Sequence, residues 1–262
     1  MTHKYIPHRS ALLQEGVLCD RFYNNGVTST NPGHTAMCTG VYQNINNSGL
    51  EYPINPSLFQ CWRKDYKRPE SEAWVISTKD KLAVLSNCTN SEWKDTYRPM
   101  TDCGINGLGT GYREDSITLR KVKKTLTNYH PRLMIVNFKQ PDASGHANDS
   151  VAYLQGIMDT DNYIYQLWYQ IQNDECYKDK TTLIVTNDHG RHTAGHLDGF
   201  VSHGDACDGC RHIEFFGMGP DFKKNFVCST TFEQIDITCT IAELMGVNMP
   251  FAQGRVMLDI FN

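Results

Sequence analysis

Three short apolar runs stand out along the chain: RLMIVNF (132–138), TTLIVT (181–186) and HIEFFGM (212–218). Each is nearly continuous in hydrophobic residues and bounded by turn formers, the pattern of strands buried on both faces. AWVIST (73–78) reads as a further strand, and KLAVLS (81–86) as another. Apolar positions at helical spacing mark RSALLQEG (9–16), closed by Gly16, and the segments 56–68, 116–129 and about 149–172. TNPGHTAMCTG predicts a short helix with Pro32 in its first turn, Asn31 or Thr30 as its cap and Gly40 closing it. Strands alternating with helices predict a three-layer α/β/α sandwich around a mostly parallel central sheet, a single domain over 1–262. Residues 87–115 are rich in turn formers and predict a long excursion at one end of it. Ligands of such sheets bind beyond the carboxyl ends of the strands.

Composition narrows the function. A formal charge of −4 over 262 residues lacks the basic excess of a nucleic-acid-binding surface. An anionic substrate would then need metal ions or a few focused cations. No apolar run approaches the roughly 18 residues of a membrane span, and MTHKYIPHRS has no apolar signal region. The chain as it stands therefore reads as cytoplasmic by default, with an exported origin as the alternative if its start lies upstream. Ten scattered cysteines read as reduced, partly buried thiols rather than a disulfide framework.

The candidate chemistry follows the strands. The run 132–138 leads into KQPDASGH, where Asp142 and His146 are one helical turn apart. The run 181–186 leads directly into Asp188 and His189, and His203 lies shortly before the third run. Carboxylate and imidazole together suit Zn²⁺ or Mn²⁺ in a hydrolytic site. Either motif alone is an ordinary polar loop; their shared position at the ligand-binding edge favours a metal site. Thr30, at a helix start, sits where an anionic group can land. His192 and His196 add an H-x-x-x-H pair, and Cys207 and Cys210 a C-x-x-C. These admit a structural zinc knuckle, but a single C-x-x-C lacks a second thiolate pair, so they read as loop residues.

The segments TNPGHTAMCTG, PDASGH, TNDHG and SHG, in that order, and the closing IDITCTIAELMGVNMPFAQGR, resemble the alkaline phosphatase superfamily. Its nucleotide pyrophosphatase/phosphodiesterase and sulfatase-like branches are the most similar. The resemblance implies a metal-dependent hydrolase of phosphoric esters acting on a small anionic phosphoester, a phosphodiester or nucleotide favoured over a monoester. Thr30 would be the nucleophile, forming a covalent phospho-threonine. Asp188 and His189 would share one divalent ion with Thr30; Asp142, His146 and His203 would hold a second, with Zn²⁺ expected and Mn²⁺ the alternative. The backbone N–H groups of Asn31 and Gly33 would cradle a phosphoryl oxygen. Sulfatases carry Cys or Ser where this chain has Thr30, so sulfate-ester hydrolysis is disfavoured. These enzymes also begin with an apolar strand ending in Asp-Gly, whose Asp binds a metal. Asp20 lies too late to be its equivalent, so the resemblance implies a sheet short of its first strand and a metal site short of one carboxylate.

Overall fold

The computed structural model describes residues 4–262. In chain order its helices are α1 (Pro7–Leu12), α2 (Thr30–Thr39), α3 (Leu58–Tyr66), α4 (Asp115–Tyr129), α5 (Asp142–His146), α6 (Ser150–Gln172), α7 (Asp208–Arg211) and α8 (Asp236–Met245). Its strands are β1 (Gly16–Tyr23), β2 (Ala73–Ser77), β3 (Met100–Cys103), β4 (Leu133–Asn137), β5 (Leu183–Thr186), β6 (His212–Met218), β7 (Phe226–Cys228) and β8 (Phe232–Glu233).

Strand side chains alternate between two helical layers, as a period of two requires. Ala73 and Val75 of β2 join Phe59 and Trp62 of α3, whereas Trp74 and Ile76 meet Leu119 and Val122 of α4 and Leu167 of α6. β4 divides the same way, with Leu133 and Ile135 on the first face and Met134 and Val136 on the second. This gives the three layers. Four of the six strand pairings are parallel, and β6 alone runs against its neighbours β1 and β5.

The sheet is divided. One part has the order β3-β2-β4, the other β5-β6-β1-β7 with β8 beside β1. β4 and β5 each end their part, and their residues line one cavity of about 1380 Å³. Two half-sheets with facing free edges are what a sandwich short of one interior strand should show.

Several sequence expectations are corrected. Residues 81–86 are not a strand but fall in a 3-10 helix, Asp80–Ser86. A parallel neighbour needs a crossover of about a dozen residues, and this run starts too soon after β2. In a 3-10 turn Leu82 and Leu85 share a face, and both are buried in the α3 layer. The segment 87–115 is not wholly an excursion, because β3 within it pairs in parallel with β2. Gly16 does close the helical run, as C-cap of a 3-10 turn (Leu13–Glu15) that continues α1, and it also opens β1. A Cβ there would lie 2.4 Å from the Gly217 carbonyl oxygen, so glycine permits close strand approach. Neither Thr30 nor Asn31 caps α2; Ser29 occupies that position. Gly40 does end the helix, in the left-handed conformation at φ 70°. All ten cysteines are free thiols. Among the described residues, no helix is long and apolar enough to cross a membrane.

Candidate active site

Thr30 opens α2 and is almost wholly buried. Its hydroxyl accepts a hydrogen bond from Lys79 Nζ at 3.2 Å. Lys79 follows β2 by two residues and donates also to Asp142 Oδ2 at 2.7 Å. Asp142 opens α5, just beyond β4, and its Oδ1 is paired with Arg191. The sequence reading passed over Lys79 and Arg191. The signal was available for Lys79, which stands beyond the carboxyl end of a strand, as Asp142 and Asp188 do.

The histidine tautomers follow from their partners, because a carbonyl can only accept. His203 Nδ1 donates to the Thr28 carbonyl (2.7 Å), and His189 Nδ1 to the Gly190 carbonyl (2.8 Å). In the neutral rings both Nε2 atoms then present lone pairs inward. His203 Nε2 lies 3.1 Å from His146 Nε2 and 3.5 Å from Asp142 Oδ1. His146 Nε2 lies 3.3 Å from the same oxygen. The His189 and His203 rings stack with centroids 3.6 Å apart, and ligand atoms of Asp142, His189 and His203 all fall within 4.8 Å of one another.

Asp188 Oδ2 and His189 Nε2 are buried without hydrogen-bond partners, 3.5 Å apart. Buried acceptors left bare are costly unless a donor or cation meets them. The carboxylate and imidazole donors here fit a divalent ion such as Zn²⁺. Asp188 is held in place through its carbonyl, which accepts from Asn24 Nδ2 (2.8 Å) and Gln234 Nε2 (2.9 Å). Burial raises its carboxyl pKa, but His189 and His34 outweigh that and hold it well below the ordinary value. His34, one turn after Thr30, donates through Nδ1 to the Thr30 carbonyl (2.8 Å). That nitrogen also lies 3.4 Å from Asp188 Oδ2.

The structure thus brings Thr30, Asp142, His146, Asp188, His189 and His203 into one cluster. Asn31 and Gly33 do not offer the N–H cradle expected of them. The Asn31 N–H is taken by Asn47 Oδ1 (2.9 Å), and the Gly33 N–H by the Ser29 carbonyl (2.9 Å) as the first helical bond. Gly33 serves close packing instead, since a Cβ there would lie 2.5 Å from the Asp188 carbonyl oxygen. Asp20 is exposed on β1, accepting from Ser229 Oγ (3.2 Å), away from this cluster.

The chain is similar to known proteins. Residues 1–203 match the sequence model of the type I phosphodiesterase / nucleotide pyrophosphatase family. An ectonucleotide pyrophosphatase/phosphodiesterase of Caenorhabditis elegans is 24% identical over 67% of this chain and 24% of its own length. The bis(5'-adenosyl)-triphosphatase ENPP4 of Bos taurus is 24% identical over 71% of this chain and 43% of its own. The chain thus spans less than half of either relative. Among solved structures, mouse ectonucleotide pyrophosphatase/phosphodiesterase 5, an inactive Thr-to-Ala variant in complex with AMP, superposes with a TM-score of 0.66. The two are 15% identical over 98% of this chain and 94% of that one.

Proposed function

This chain belongs to the type I phosphodiesterase / nucleotide pyrophosphatase family, and on that premise we propose that it hydrolyses phosphodiester bonds of nucleotide-type substrates, with Thr30 as nucleophile and two divalent ions as cofactors. The observation that carries the reading is the buried Thr30 hydroxyl, 3.2 Å from the Lys79 ammonium, on the helix that packs Gly33 against Asp188, whose Oδ2 is buried without a hydrogen-bond partner. Asp142, His146 and His203 would hold one ion, and Thr30, Asp188 and His189 the other. Divalent ions held there would supply Lewis acidity, easing ionisation of a hydroxyl and offsetting phosphoryl charge.

The chain's own residues set the rest. Thr30 Oγ, its proton passed to solvent, would attack phosphorus; the bond from phosphorus to the leaving oxygen breaks and that oxygen takes a proton from solvent. This leaves a phospho-threonine whose phosphorus–Oγ bond water then cleaves, restoring the Thr30 hydroxyl and releasing the phosphate product. Lys79 donates toward the oxygen on which charge develops, and being fixed by Asp142 it need not reorganise as the charge appears. His189 and His203 are held with lone pairs inward by the Gly190 and Thr28 carbonyls, the orientation that ligating histidines require. The nucleotide preference rests on the relatives' names, which specify adenosyl triphosphate and AMP.

The test is hydrolysis of chromogenic mono- and diesters by Thr30→Ala and Thr30→Ser. Thr30→Ala should lose at least about a thousandfold in kcat while its thermal transition stays near the parent's, because Ser29 and not Thr30 occupies the cap of α2. Thr30→Ser should keep part of the rate. An active Thr30→Ala variant would overturn the nucleophile, and a parent that cleaves only monoesters would overturn the diester preference.

A further inference from the structure

Beyond this site, the loop between β5 and β6 gathers a second set of metal-ligand side chains. His192, Asp205, Cys207 and Cys210 bring one ligand atom each within 4.8 Å of all the others. His192 is 5% exposed. Its Nδ1 lies 2.8 Å from Asp198 Oδ1, a carboxylate that accepts from the Nδ1–H, so that Nε2 of the neutral ring is bare. That Nε2 is buried without a hydrogen-bond partner and faces Asp205 Oδ2 at 3.4 Å. A lone pair aimed at a carboxylate oxygen is repulsive unless a cation lies between them. Cys210 is fully buried, and α7 turns Cys207 and Cys210 toward the same point.

We propose that His192 Nε2, the Asp205 carboxylate and the Cys207 and Cys210 sulfurs hold one structural Zn²⁺, separate from the ions at Thr30. Two thiolates, an imidazole and a carboxylate make a closed four-coordinate set, the arrangement of structural rather than catalytic zinc. Asp198 completes it as the carboxylate behind the ligating histidine. Binding releases the two thiol protons to solvent as the Zn–S bonds form, with no change of oxidation state. The single C-x-x-C that told against a knuckle in the sequence is completed by His192 and Asp205.

The site would staple the loop that carries Asp188, His189 and His203 of the active site. Gly190 N donates to the Cys210 carbonyl (2.7 Å) and Arg191 N to the Gly209 carbonyl (2.9 Å), beside His189. Thr28 Oγ1 donates to the Asp205 carbonyl (2.7 Å), and the Thr28 carbonyl holds His203. The zinc would thus position His189 and His203 without touching substrate. None of this depends on the reaction proposed above.

The experiment uses the intact chain. Alkylation of Cys207 by iodoacetamide, followed by peptide mass spectrometry, should be slow in the zinc-loaded protein and at least about tenfold faster after chelation. Asp142→Ala, which disturbs only the active site, should keep the protection. Cobalt exchange should give thiolate-to-cobalt charge-transfer absorption that weakens in Cys207→Ser and vanishes in the Cys207→Ser/Cys210→Ser variant. Equal alkylation with and without chelator, a cobalt-loaded chain without thiolate absorption, or a Cys207–Cys210 disulfide in protein purified without reductant would each overturn the proposal. The alkylation arm needs no variant and stands even if the serine variants fail to fold.

Discussion

Burial alone would push the Lys79 ammonium toward its neutral form, but Asp142 and Asp188 outweigh it and its pKa rises. On Asp142 burial acts upward; Lys79 and His189 overcome it and bring the carboxyl to about 2. Both groups are therefore charged at neutral pH. Lys79→Met would leave Asp142 with Arg191 alone. Breaking a buried pair costs about 3–5 kcal/mol when no partner remains, so with Arg191 in place a loss of roughly 1–3 kcal/mol is expected. The rate should fall further, by about 10²–10³ in kcat, because the donor to Thr30 Oγ is gone. Lys79→Arg should recover most of the stability and little of the rate; equal recovery of both would reduce Lys79 to a structural ion pair. Gly33 separates two readings of the same residue. Alanine keeps the N–H but adds a Cβ about where the Asp188 carbonyl lies, at 2.5 Å. We expect Gly33→Ala to destabilise by about 1–3 kcal/mol and to weaken metal binding by displacing Asp188. A variant unchanged in melting temperature and metal content would refute the close-packing account.

At the scale of elements, β3 shows how a strand can hide in a turn-rich sequence. Its four residues have too little apolar pattern to be seen, and it is fixed from outside. Asp102 is clamped by Arg113 and by Lys121 of α4 (2.6 Å), and the Arg113 guanidinium also donates to the Gly104 carbonyl (2.9 Å). Burial raises the Asp102 pKa, but hydrogen bonds from Lys121 and Arg113 outweigh it, and the folded value lies below the ordinary 3.8. The clamp thus contributes stability that is fully present above the ordinary carboxylate pKa and is lost as pH falls through the lowered folded value. Asp102→Asn should lower the melting temperature at pH 7, with the difference from the parent shrinking below about pH 4; a difference independent of pH would show that Asp102 acts through packing alone. The same reasoning explains what was legible. β2 and β6 announce themselves because they are largely buried, β4 and β5 because they are continuous apolar runs although half-buried beside the cavity, and Asp142 and Asp188 because they stand at the ends of two of them. β1 was not, because Asp20 and Arg21 interrupt its apolar pattern. The Lys79–Thr30 contact was not either, since it joins residues 49 positions apart and nothing local encodes it. His192 and Cys210 looked like loop residues because their convergence belongs to the fold of 189–210 and not to any spacing.

The whole molecule is shaped by the division between β4 and β5. Among the described residues, no backbone hydrogen bond joins these strands to each other, though apolar residues from both line the cavity between the half-sheets. A five-residue strand is about 17 Å long, 4.8 Å wide and 10 Å across its side-chain layers, roughly 800 Å³. The cavity, at about 1380 Å³, can receive one. It is apolar beside Met134, Ile135, Val136, Leu183, Ile184 and Val185 and polar at the end where Lys79, Asp142, Asp188 and His189 meet it. A strand placed there would bury apolar side chains on both faces and satisfy free backbone groups on both edges. If it ended in Asp-Gly, its carboxylate would arrive at the end with Asp188 and His189. Tyr5 and Ile6 line the same cavity, so a segment joined ahead of residue 1 has its entrance close by. We therefore expect fusion of an apolar strand ending in Asp-Gly, with a short linker, to raise the melting temperature, the metal bound at Thr30, Asp188 and His189, and the diesterase rate together. Replacing that Asp by Asn should keep the rise in melting temperature, which comes from the strand, and lose most of the gain in metal and rate. The measurements are calorimetry, metal stoichiometry and hydrolysis of a chromogenic diester for the chain with and without each extension. If the unextended chain already binds both active-site ions tightly, and the fusion changes neither stability nor rate, then the half-sheets need no strand between them and the ligand set is complete as it stands.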